Sequence, residues 1–149
     1  MAERIGEMLI RKKLITAEQL ELALQDQANT GEFLGEILVR LGYTQEQNLL
    51  TVLAEQFGTR FVSLDQIRIN PEVVRRIPYD LVLEHQFMPL ESRGDLLLIA
   101  VSNPLNMWPL SALQHKFSFS EVKIVLAAKK DIQQTIQKYY AVPREMKNA

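Results

Sequence analysis

Apolar residues recur at intervals of three and four through the first 57 residues, without β-branched alternation, so this stretch reads as helix. Four helices fit it. The first runs from about Arg4 to Lys12, and the second opens at Thr16, where Gln19 three residues on completes a capping-box pattern. The third covers roughly Gly35 to Leu41 and ends at Gly42, because glycine enters a left-handed C-cap without steric cost. The fourth is expected to be capped by Thr44, with Gln47 three residues on, and to end before Gly58.

From Phe61 the pattern changes to strand-like runs alternating with helical ones. "RFVSL" reads as a strand; Asn70 with Pro71 reads as a cap and first turn of a helix through Arg76; Pro78 to Glu84 reads as another helix. "QFMPLES" and "DLLLIAV" flank "RGD", the pattern of a hairpin with a glycine-containing turn. Asn106 is expected to cap a helix with Pro109 in its first turn and its end near Phe117. The alternation of "EVKIVLA" predicts a strand, "KKDIQQTIQKYY" a last helix, and a polar tail starts at Pro143. The expected fold class is α+β. An all-helical N-terminal lobe, residues 1–57, carries a tandem helical-hairpin repeat and packs on a small α/β lobe, residues 58–141, ordered βααββαβα. The sheet is short and mostly antiparallel or mixed, and residues 142–149 form a tail or linker.

The repeat is the most informative feature. Shifting the chain by 29 positions aligns residues 4–27 with 33–56 and gives seven identities in 24 positions, among them Gly6 with Gly35, Arg11 with Arg40, Leu20 with Leu49 and Gln27 with Gln56. A duplicated hairpin with core leucines accounts for the leucines. It does not account for a helix-weakening glycine and a polar amide kept at the same register. Leu20, Leu24 and Gln27 share one helical stripe, repeated as Leu49, Leu53 and Gln56. An apolar platform ending in an amide suits a flat heterocycle, and two such platforms suit a ligand with two bases.

Composition narrows the remaining chemistry. Hydrophobic residues make up 47% and charged residues 23%, proportions that predict a folded chain. The formal net charge of −1 gives no global attraction for polymeric nucleic acid or anionic lipid. The absence of cysteine removes thiolate catalysis, disulfides and cysteine-based zinc sites. His85 and His115, the two histidines, read as structural or surface residues, and "RGD" as a turn. No phosphate-cradling G-x-x-x-x-G-K-[ST] is present, and carboxylates such as Glu18, Glu21 and Asp26 read as solvated helix faces, so no enzymatic activity is expected. "LLLIAV" is too short to span a bilayer and "MAERIGE" lacks a signal-like apolar run, which makes the cytoplasm the expected location.

The tandem stretch resembles the 24-residue motif of the MshEN domain found at the N-terminus of type II secretion and type IV pilus assembly ATPases. That motif is roughly R-L-G-x-x-L-V-x-x-G-L-I, four residues, then L-x-x-x-L-x-x-Q, given twice with a five-residue spacer, here "ANTGE". "FVSLDQIRINPEVVRRIPYDLVLEHQFMPL" and "VSNPL" resemble the companion α/β part, so the likeness covers about residues 4 to 141. The resemblance implies a non-catalytic regulatory or adaptor domain that binds cyclic di-GMP, with no cofactor and no metal. The implied ligand-binding residues are Arg4, Ile5, Gly6, Leu9, Leu20, Leu24 and Gln27 in the first motif, and Leu34, Gly35, Leu38, Leu49, Leu53 and Gln56 in the second. Arginine can read the O6/N7 edge of guanine, and a glycine lets backbone N–H groups approach a phosphate. Two positions depart from the pattern: Phe33 opens the second motif in place of a polar or basic residue, and Lys13 replaces the second glycine of the first. Other implied partners are an ATPase domain, if the chain is part of a longer one, and the cytoplasmic part of an inner-membrane secretion or pilus component. The competing expectation is a docking module that recruits the ATPase to that component without binding nucleotide.

Overall fold

Local signals set the helix boundaries first. Thr16 Oγ1 accepts from the Gln19 N–H at 3.1 Å while the Thr16 N–H donates to Gln19 Oε1 at 2.9 Å, the reciprocal capping box. It opens α2 (Ala17–Thr30), which follows α1 (Ile5–Arg11) and precedes α3 (Leu34–Arg40) and α4 (Glu46–Gln56). The structure, a computed structural model, describes residues 4–105, 108–117 and 119–140. The chain divides into two units, Met1–Arg60 and Phe61–Ala149.

In the first unit both hairpins turn the same corner. Leu14 N–H donates to the Leu9 carbonyl and Tyr43 N–H to the Leu38 carbonyl, each at 2.9 Å, around a left-handed residue: Lys13 at φ 61° in one copy, Gly42 at φ 78° in the other. The expected Thr44 cap is not formed. Gln45 holds the N-cap position of α4 and its side chain makes no cap bond. The reason lies in the register: residue 45, not 44, is 29 positions after Thr16, and Thr44 takes the place of the buried Ile15. Packing is reciprocal between the copies, α1 against α4 and α2 against α3. Leu9, Ile37 and Leu38 are 0% exposed, and burial of each leucine contributes about 2 kcal/mol.

The second unit begins with a 3-10 turn, Leu64–Gln66, then α5 (Pro71–Arg76), α6 (Tyr79–His85), β1 (Phe87–Arg93), β2 (Leu96–Val101), α7 (Trp108–Phe117), β3 (Glu121–Leu126) and α8 (Lys129–Tyr139). As expected, Asn70 caps α5, its side chain accepting from the Glu72 N–H, with proline at N1. The sheet is mixed, in the order β1-β2-β3: β1 and β2 form the antiparallel hairpin around Gly94, while β2 and β3 run parallel across α7. "RFVSL" is not a strand. Phe61 makes an isolated bridge to Leu126, after which the 3-10 turn draws the chain away, held by Asp131 Oδ2 accepting from the Leu64 N–H at 2.9 Å. Phe87, Met88, Leu97, Ile99 and Leu126 are fully buried around the sheet. The Asn106 cap and the tail at 142–149 lie outside the described residues.

Candidate functional site

The repeated glycines each face a repeated leucine. A Cβ on Gly6 would lie 2.7 Å from Leu20 Cδ1, and one on Gly35 would lie 2.9 Å from Leu49 Cδ1. Each hairpin therefore seats a platform leucine of its second helix directly on the backbone of its first. The space that a side chain would need is filled by hydrocarbon, a packing reason for the glycines that spacing alone did not show.

The two platforms differ in exposure. Leu24 is 42% exposed and Leu20 is half-buried, whereas Leu49 and Leu53 are buried at 5% and 9%. Of the expected ligand-binding leucines, Leu9 and Leu38 have no exposed surface and belong to the core of the unit. Ile5 and Leu34, the first residues of α1 and α3, are half-buried. Arg4 and Phe33 occupy the same place in the two copies, the N-cap of a short helix with extended backbone (φ −71°, ψ 150° and φ −64°, ψ 138°). Arg4 is exposed and Phe33 is 45% exposed.

Gln27 joins the end of the first motif to the start of the second. Its Nε2 donates to the Glu32 carbonyl at 3.0 Å, beside Phe33 in the chain. This leaves the Gln27 carbonyl oxygen as the amide's acceptor. Gln56, its counterpart, is half-buried at the end of α4.

Three ion pairs, gathered in two clasps, one at Arg40 and one at Lys12, hold the helical unit together. Arg40 Nη2 donates to Asp26 at 2.7 Å and to Glu32 at 2.8 Å; Lys12 Nζ lies 2.8 Å from Glu55. Asp26 and Glu55 share one register of the repeat, as do Arg11 and Arg40, and Arg11 adds to the positive field on Glu55. Hydrogen bonds to Asp26 and then Glu32 raise the Arg40 pKa, and the bond from Lys12 lowers that of Glu55. Both clasps are solvent-exposed, so each contributes little to stability and mainly fixes orientation. Asp26 is thus more than a solvated surface acid; its acidic counterpart at Glu55, read with the Arg11 and Arg40 identity, was the available signal.

The second unit has an open cleft of about 230 Å³ lined by Leu64, Asp65, Ile67, Asp131, Gln134, Thr135, Lys138 and Tyr139. Its carboxylates are engaged locally: Asp131 accepts from the backbone of the 3-10 turn and Asp65 from the Ser63 hydroxyl. Among the described residues no cluster of three or more metal-ligating side chains occurs, and no helix is long and apolar enough to cross a membrane.

Known proteins match along most of the chain. The type IV pilus assembly ATPase PilB of Myxococcus xanthus is 28% identical over 141 residues, 95% of this chain and 25% of that protein. Bacteriophage adsorption protein B of Escherichia coli K12 is 27% identical, over 92% of this chain and 18% of that protein. The chain thus spans a quarter or less of these relatives. Among solved structures, that of MshE with cdg superposes with a TM-score of 0.84 at 29% identity, covering 93% of this chain and 99% of the other. The N-terminal domain of XpsE shares the fold at a TM-score of 0.70, 18% identity and 93% and 98% coverage. The MshEN domain model matches residues 57–146, which lie wholly beyond the tandem motif, and on that match the chain belongs to the MshEN domain family.

Proposed function

We propose that this domain binds cyclic di-GMP through its helical unit and acts as the non-catalytic regulatory module of a type IV pilus or type II secretion ATPase. The observation that carries the reading is the doubled constellation of leucine seated on glycine, closed in each copy by glutamine, which offers two apolar platforms to a ligand with two bases. The likeness to MshE with cdg supports it. In this reading Leu20, Leu24, Leu49 and Leu53 contact base faces, Arg4 reads a guanine edge and Gln27 presents its carbonyl oxygen to a base donor. Leu9 and Leu38 hold the platforms from behind.

Calorimetric titration of the full chain at micromolar concentration tests this. Saturation with one cyclic di-GMP per chain is expected, with about tenfold weaker binding by Arg4→Ala. Absence of any heat or saturation would sink the proposal. A second reading, docking to the cytoplasmic part of an inner-membrane secretion or pilus component, is favoured by Leu22, 50% exposed on α2 outside the platform stripe. Binding of that component unaffected by Arg4→Ala but lost in Leu22→Lys would establish docking apart from nucleotide.

A further inference from the structure

The two half-sites have the same backbone and different chemistry. Arg4 and Phe33 stand at matching N-caps, yet the first motif carries four cations, Arg4, Arg11, Lys12 and Lys13, and the second only Arg40. Arg40 cannot replace the arginine missing at position 33, because its guanidinium is engaged by Asp26 and Glu32. What the second motif offers at the matching position is the partly exposed ring of Phe33.

These surfaces discriminate bases differently. A guanidinium bonds the paired acceptors O6 and N7 of guanine, but against adenine it meets the N6 amino group, donor facing donor. A phenyl ring stacks on any base and has no polar atom with which to choose. Resting on the cyclic dinucleotide reading above, we infer that the site is asymmetric in specificity: the Arg4 half requires guanine, and the Phe33 half accepts adenine as readily. The ligand class is therefore cyclic dinucleotides with at least one guanine, including the mixed guanine–adenine compound.

The test is calorimetric titration of the full chain with 3′,5′-linked cyclic di-GMP, cyclic GMP–AMP and cyclic di-AMP. The mixed compound is expected to bind within about threefold of cyclic di-GMP, and cyclic di-AMP about tenfold or more weaker. Phe33→Arg, at an exposed N-cap, is expected to open a preference of about tenfold for cyclic di-GMP over the mixed compound. Binding of cyclic di-GMP with the mixed compound already about tenfold weaker in the unsubstituted chain overturns this inference and leaves the nucleotide reading intact. Failure of all three to bind overturns the nucleotide reading itself.

Discussion

Lys13 and Gly42 do the same job with different means. Both are left-handed, and for a residue with a Cβ that conformation costs about 1 kcal/mol. Lys13→Gly is therefore expected to raise stability by about 1 kcal/mol in urea unfolding, while Lys13→Ala, which keeps the Cβ, is not. Thr44 is the opposite kind of mismatch: it stands where the first copy has Ile15, and among the described side chains its hydroxyl is buried without a partner. Thr44→Val keeps the shape and removes the unpaired group, so a gain of about 1 kcal/mol is expected in the same measurement. The glycines should respond unequally. Alanine gains about 1 kcal/mol of helix propensity at either site but must displace a leucine. Half-buried Leu20 has room to swing aside, so Gly6→Ala should be near neutral; buried Leu49 does not, so Gly35→Ala should destabilise by about 1 kcal/mol net. A larger loss from Gly6→Ala than from Gly35→Ala would contradict this packing account.

Between elements, polar side chains act as fasteners. Asn70, the cap of α5, donates from Nδ2 to Glu91 on β1 at 3.1 Å, and the Ser92 N–H donates to the same carboxylate oxygen at 3.1 Å. The bond from Asn70, then that from Ser92, holds the Glu91 carboxyl below its ordinary value of 4.5. A folded-state pKa below the unfolded one means that the unfolded chain binds the proton more readily. The contribution is present above pH 4.5 and is lost as the pH falls through the depressed folded value. Glu91→Gln should accordingly flatten the stability curve below about pH 5, measured by denaturant midpoints across the acid range. The sequence revealed the caps at Thr16 and Asn70 because both bonds close within three residues. It misled at Phe61 to Leu64, where strand propensity was present but the chain turned away after a single bridge. It marked the register of Arg40 and Asp26 through their counterparts Arg11 and Glu55 but not their pairing, since they lie 14 apart and only helix packing brings them together. The candidate site showed in the sequence as a pattern of identities at one register; that its glycines seat its leucines required the packing.

At the scale of the molecule, the two units are expected to answer a ligand differently. On the proposed function, cyclic di-GMP at about 100 times its dissociation constant is expected to add about 2.7 kcal/mol to the stability of the structure that holds it. Slowing of amide hydrogen exchange should concentrate in residues 4–56, with the β1–β2–β3 sheet serving as a reference. Equal slowing in both units, or slowing in the sheet alone, would move the site out of the repeat. The reciprocal packing of α1 on α4 and α2 on α3 has a further consequence for assembly. Exchanging the two copies exchanges one contact for the other, the relation that defines an isologous interface between identical subunits. The helical unit thus has the contact arrangement of a two-fold dimer on a single chain, its halves joined by the "ANTGE" spacer. A lone 24-residue hairpin lacks half of its packing surface and would have to recruit a second copy to fold. Covalent fusion removes that concentration dependence, and it lets the two halves carry different residues at one register, an arginine at one N-cap and a phenylalanine at the other.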